Sequence, residues 1–329
     1  MHVKISAMAC KENNTAAAAV TAGLVERINE LRKKKKAVIL AHYYVDGALQ
    51  DIADFVGDSL ALARQAAQHA AEARIVVMCG VNFMGETVKI LCPDKKVLVP
   101  DTAAGCSLAD SCPADRFAEF ISRYPDHTVI SYVNTSAQVK ALTDILVTSS
   151  NALHIVESLS TDTKIIFGPD RNLGSYIAAK TGRQMVVWDG ACHVHEQFSA
   201  EGIARLRKEH PQAPVLVHPE CPRPVRLLAD CIGATSALLD YALSSDATEF
   251  IVATEPGIIH QMRKGAPSKT FIPAPATDST CGCNDCGFMK LNTLAKLADC
   301  LENETGEITV APELAARALR PIERMLELS

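Results

Sequence analysis

Short runs of aliphatic and β-branched residues recur along the whole chain, and between them apolar positions fall three and four apart. The runs are KAVILAHYY (36–44), RIVVMCG (74–80), KKVLVPD (95–101), HTVISYVN (127–134), DILVTS (144–149), KIIFGPD (164–170), QMVVWDG (184–190), APVLVHPE (213–220), EFIVATE (249–255) and KTFIPAP (269–275). Such runs, bounded by turn-forming residues, predict strands buried on both faces. The segments SLALARQAAQHAAEA, SAQVKALT, NALHIVESLS and TSALLDYALSS carry the helical spacing. Strand–helix alternation on this scale predicts βαβ units, with parallel sheets covered by helices. No Pro-, Gly- or Ser-rich linker interrupts it.

A longer period overlies the short one. KVLVPDTAAGC runs strand, short loop, then Cys106; QMVVWDGAC repeats the order to Cys192, and KTFIPAPATDSTCGCNDC repeats it to Cys286. The cysteines stand 86 and 94 residues apart, which suggests three similar units. We divide the chain into an N-terminal tail (1–22), α/β domains at 23–105, 106–191 and 192–280, and a closing segment (281–329) with the third cysteine and terminal helices. Ligands of open α/β sheets bind beyond the carboxyl ends of the strands, where all three cysteines fall. Three units facing inward would bring one thiolate each to a common point.

Composition narrows the reading. A chain of 329 residues, 48% of them apolar, has material for two or three small cores. A net charge of −5 argues against general affinity for nucleic acid or an anionic membrane. The one basic run, Arg32 to Lys36, suits the end of a predicted helix. No apolar stretch reaches the length of a membrane span, and the first 22 residues lack the apolar core of a signal peptide. A cytoplasmic protein is expected. In such a protein twelve cysteines point to metal binding or catalysis rather than disulfides. Cys79 and Cys231 sit in apolar contexts and are expected in the core.

Polar residues stand where strands end. His42 and Tyr44, Tyr132 and Asn134, and His218 and Glu220 are pairs two apart, each pair on one side of its strand. Alone, any pair could be a buried residue with a hydrogen-bond partner; three at strand ends suggest a site. The helix starts GDSLALA, NTSAQVKA, TSSNALH and GATSALL place Ser or Thr where caps belong, and where phosphate or carboxylate also binds. Neither a Walker A sequence nor G-x-G-x-x-G is present. The stretch CGCNDC lacks the second ligand pair of a structural zinc site, while a redox pair of Cys281 or Cys283 with Cys286 stays open. One thiolate from each unit would instead hold a [4Fe–4S] cluster with one iron free of protein, a Lewis acid suited to dehydration and condensation.

The segments AHYY, GDSLAL, CGVNFMGETVKIL, SYVNTSAQVKA, VTSSNA, WDGACHVHEQF, VHPECP, GATSALL and CGCNDCGFMKLN together resemble the quinolinate synthase family of NAD biosynthesis, in the family's order, from about residue 36 to 300. Only the N-terminal tail and C-terminal helix fall outside. The resemblance implies three αβα sandwich domains with parallel sheets around a pseudo-threefold axis. It implies one [4Fe–4S] cluster on Cys106, Cys192 and Cys286. The implied reaction condenses iminosuccinate with dihydroxyacetone phosphate to quinolinate, losing phosphate and water, with transient contact to an L-aspartate oxidase as a further implication. Tyr44, Glu220 and His195 match catalytic positions. His42, Ser59, Tyr132, Val133, Asn134, Ser149, His218, Pro219, Glu220 and Thr235 match substrate-binding ones. Some members carry C-x-x-C-x-x-C at the third ligand, whereas this chain has Cys281, Cys283 and Cys286. A hydro-lyase using the same open iron, and a redox-sensing metabolite binder, are the competing readings.

Overall fold

A computed structural model describes residues 20–69, 73–277 and 284–329. Most of the expected tail, and Cys281 and Cys283, lie outside the described residues. The described chain opens in helix α1 (20–35) and leaves it at Lys36, whose φ of 51° is a left-handed helix exit. The basic run does end a helix. Arg32 reaches Asp54 (2.9 Å) and Lys35 reaches Glu304 (3.0 Å).

Three four-stranded parallel sheets follow, each wound the same way. The first takes β1 (Ala37–His42), β2 (Phe55–Gly57), β3 (Ile75–Cys79) and β4 (Lys96–Leu98) in the order β2-β1-β3-β4. The second takes β5 (Thr128–Tyr132), β6 (Ile145–Val147), β7 (Ile165–Gly168) and β8 (Met185–Val187) as β6-β5-β7-β8. The third takes β9 (Val215–Val217), β10 (Cys231–Ile232), β11 (Glu249–Ala253) and β12 (Thr270–Pro273) as β10-β9-β11-β12. Chain direction across each sheet reverses between its first and third strands. That crevice, beyond the strand ends, is where α/β sheets bind ligands.

All ten expected strands form. The hydrophobic pattern misses β2 and β10, because each carries only two apolar residues, Phe55 and Val56 in one and Cys231 and Ile232 in the other. Their counterpart β6 was legible through the run DILV. Both faces of the third sheet are covered: Val215, Val217 and Ile251 pack on one side, Leu216, Phe250 and Val252 on the other. That parity explains why the strands read as continuous apolar runs rather than alternating ones. Cys79 is buried as expected, whereas Cys231, on the edge strand β10, is only half-buried.

The C-terminal helix α17 (Pro312–Glu327) packs on β6 and on α7 (Ala137–Lys140) of the second unit and on α4 (Asn82–Leu91) of the first. It buries Ala318, Ile322 and Met325, a stripe at spacings of four and three. Ser329 completes the join, with Asn151 Nδ2 donating to its Oγ at 2.6 Å. Among the described residues no helix is long and apolar enough to cross a membrane.

Candidate active site and metal centre

The strands β1, β5 and β9 hold equivalent places in their sheets, and their polar end residues meet in one central cleft of about 730 Å³, part of it open to solvent. His42 and His218 are built alike. The N–H of Tyr44 donates to His42 Nδ1 (3.2 Å) and that of Glu220 to His218 Nδ1 (3.3 Å). Each ring therefore carries its proton on Nε2 when neutral. Burial drives His42 down to about 4 and His218 down to about 3, so both are neutral N–H donors near pH 7. His218 Nε2 lies 3.3 Å from Ser149 Oγ.

A continuous polar chain links the units. Tyr132 Oη donates to Glu220 Oε1 at 2.5 Å. His195 Nδ1 lies 3.2 Å from Glu220 Oε2, and its Nε2 lies 3.1 Å from Thr254 Oγ1. Thr254 is 2.9 Å from Tyr44 Oη, which is 2.7 Å from Thr235 Oγ1. One proton assignment satisfies every link: His195 donates to the carboxylate, Thr254 to His195, Tyr44 to Thr254, and Thr235 to Tyr44. Burial alone would raise Glu220, but attraction from His195 and His218 and the hydrogen bonds of His195 and Tyr132 hold it below the ordinary carboxylate range. Tyr44 and Tyr132 move the other way, well above an ordinary phenol, chiefly through burial. The cleft thus sets an ionised carboxylate among neutral phenols and the neutral imidazoles of His42 and His218.

The helix starts divide between two roles. Ser136 caps α7 by accepting from Val139 N (3.3 Å). The others do not cap. Thr235 faces Tyr44 and Ser149 faces His218, while Ser150 and Ser236 both donate to Asp58 Oδ2 at 2.8 Å. Asp58 itself caps α3 (Ser59–His69), its Oδ1 accepting from Ala61 N at 2.9 Å. One buried carboxylate of the first unit therefore ties in the second and third. Asp58→Ala is expected to destabilise the chain by about 2–4 kcal/mol, since two hydroxyls lose a charged acceptor and a helix loses its cap. Urea unfolding checks this, with a lowered midpoint and an unchanged slope.

The three cysteines complete the cleft. Each is the residue before a four-residue helix: Cys106 before α5 (Ser107–Asp110), Cys192 before α10 (His193–Glu196) and Cys286 before α15 (Gly287–Lys290). None caps its helix through a side-chain hydrogen bond, and Cys192 Sγ lies 3.3 Å from His195 Nδ1, which it shares with Glu220. Burial raises all three thiols, Cys106 to about 12, while N–H groups of Leu108 and Ala109, of His195, and of Phe288 and Met289 oppose the rise. Cys286 raises Cys106, and Cys106 in turn raises Cys192, as neighbouring thiols do. Soft donors from three units, one each, suit an iron–sulfur cluster with three protein ligands. Cys192, His195 and Glu220 also offer ligand atoms within 4.8 Å of one another. In that trio His195 and Glu220 already bond each other, and Tyr132 occupies the second carboxylate oxygen.

Tyr44, His195, Glu220, His42, Ser59, Tyr132, Asn134, Ser149, His218, Thr235 and the three cysteines all line this cleft. Asn134 Oδ1 is buried there without a partner. Val133 and Pro219 do not line it; the backbone of Val133 is engaged by Val147 O (2.8 Å) and Lys140 Nζ (3.0 Å). Sequence reasoning missed Asp58, Thr254, Glu255 and Asp170. The first is masked by its role as a helix cap, and the last three lie beyond third strands, Glu255 and Asp170 beside prolines that mark ordinary turns.

Residues 26–327 match the sequence profile of the family described as "NadA: Quinolinate synthetase A protein". The match runs through the C-terminal helix, further than the motifs alone had suggested. The chain is 57% identical to the quinolinate synthase of Thermosynechococcus vestitus over 306 residues, covering 93% of this chain and 95% of that one. Identity is 56% to the quinolinate synthase of a Synechococcus species (94% and 96% covered) and 55% to that of Chloroherpeton thalassium (93% and 94% covered).

Proposed function

Because the chain belongs to the quinolinate synthetase A protein family, we propose that it condenses iminosuccinate with dihydroxyacetone phosphate to quinolinate, as an enzyme of NAD biosynthesis. Phosphate and two molecules of water leave. The balance needs no oxidant. In this reading the cytoplasmic chain divides into the three domains outlined from its sequence, and the imine arrives by diffusion or through transient contact with an L-aspartate oxidase.

The observation that carries the reading is the meeting of Cys106, Cys192 and Cys286, from equivalent places in three units, in the cleft that also holds the polar strand ends. These cysteines would hold a [4Fe–4S] cluster, which supplies Lewis acidity at an iron without a protein ligand. The chain's own residues do the rest. His42, His218, Ser59, Ser149, Tyr132, Asn134 and Thr235 receive the carboxylates, imine and phosphate. Most of them are neutral donors, so binding a multiply anionic pair neutralises no buried cation. Glu220, ionised between Tyr132 and His195, takes the proton from the carbon between imine and carboxylate. Tyr44, a neutral phenol held by Thr235 and Thr254, gives a proton to a departing oxygen. His195, between Glu220 and Thr254, carries protons from one to the other.

Protein purified without oxygen is expected to contain iron and sulfide and to form quinolinate when given both substrates. Turnover of a hydroxy acid without quinolinate would favour the hydro-lyase. Zinc in place of iron and sulfide would move the metal to Cys192, His195 and Glu220.

A further inference from the structure

We infer that Asp170 and Glu255 are positioning residues for the metal centre, each fixing one ligand cysteine by accepting its backbone N–H. This inference rests on the ligand assignment above and goes beyond it.

The two acids occupy matching places. Asp170 follows β7 and precedes α9 (Arg171–Thr181); its Oδ1 accepts from Leu173 N (2.7 Å) and its Oδ2 from Cys192 N (3.3 Å). Glu255 follows β11 and precedes α14 (Ile258–Gly265); its Oε2 accepts from Gly257 N (2.7 Å) and its Oε1 from Cys286 N (3.2 Å). Both side chains are fully buried. The first unit fastens its cysteine loop from the same place by other means. Asn82, opening α4, donates its N–H to Ala104 O (2.8 Å) and its Nδ2 to Thr102 O (2.9 Å).

Burying a carboxylate to accept backbone N–H groups is costly, and a neutral amide would meet the same need. What the contacts establish is loop geometry: each acid joins the start of its own following helix to the N–H of a ligand cysteine. Glu255 does more than Asp170. Lys290, on the helix that Cys286 begins, lies 3.1 Å from Glu255 Oε1 and donates to Tyr44 O at 2.9 Å. The third ligand is thereby tied to the strand end that carries Tyr44.

The test uses anaerobically prepared, metal-loaded protein. Glu255→Ala is expected to lose iron to a chelator at least about tenfold faster than wild type, as loss of a ligand-orienting partner does. Glu255→Gln, whose amide oxygen can still accept from Cys286 N, stays within about threefold of wild type in iron release, well short of that loss. Wild-type iron release in Glu255→Ala overturns the inference. Should that variant fail to fold, Asp170→Ala decides through Cys192, wild-type iron release there overturning the inference. Cys286→Ser is the control. If it holds iron like wild type, the ligand assignment falls as well; if it alone loses iron, only the role of Glu255 falls.

Discussion

Serine at Cys106, Cys192 or Cys286, one at a time, is expected to strip iron and sulfide from the anaerobic protein and to take quinolinate formation below detection. Each unit gives one sulfur to the cleft. A hydroxyl is a hard, weakly acidic donor that does not stand in for thiolate on iron. Among the described residues no other cysteine lines the cleft. Cys112 is buried with Phe117 and Val129 in a separate cluster, and Cys221 donates its thiol proton to Ala253 O. Cys281→Ser and Cys283→Ser are expected to keep metal and activity. Iron and sulfide content, with the visible absorbance, reads all five variants. If a Cys106, Cys192 or Cys286 variant retained the full metal content, or if all five behaved alike, the three-ligand assignment would be wrong.

The legible parts of the site share one property: each broke an apolar pattern. His42, Tyr132 and His218 interrupt strand runs that both-face burial keeps aliphatic, so they stood out as strand ends before any coordinates did. The cysteines stood out by recurring at the same point of each unit. The residues that escaped broke no pattern. Asp58 sits where an acid normally caps a helix and does cap one, and its other oxygen holding Ser150 and Ser236 depends on two distant units. Glu255 and Asp170 stand next to prolines, where a polar residue signals only a turn. The Ser and Thr at helix starts show the same limit. Capping and cleft-facing roles demand the same residue types at the same place, and only the direction of the hydroxyl separates them. Edge strands β2 and β10 were lost for a different reason, since two apolar residues in a row form no run that stands out from a loop.

Glu220→Gln is expected to lower kcat by about 10²–10⁴-fold while iron content stays at the wild-type level, because the variant removes a general base and leaves the cysteines in place. Shape is nearly conserved, and the amide oxygen can still accept from Tyr132. The amide nitrogen, however, then faces His195 Nδ1, which in wild type donates to the carboxylate at 3.2 Å. Two donors meet there, so His195 must change tautomer and break its link to Thr254, or the amide must turn and lose Tyr132. The change therefore removes the base and unsettles the path to Tyr44 together. The pH profile gives an independent reading. Glu220 is held below the ordinary carboxylate range, so its base form persists until pH falls through that depressed value. Wild type should then show no loss of kcat from this group between about pH 5 and 8, and the variant should be slow across the whole window by a nearly constant factor. A kcat within about tenfold of wild type would fall below the usual worth of a positioned base and remove Glu220 from that role.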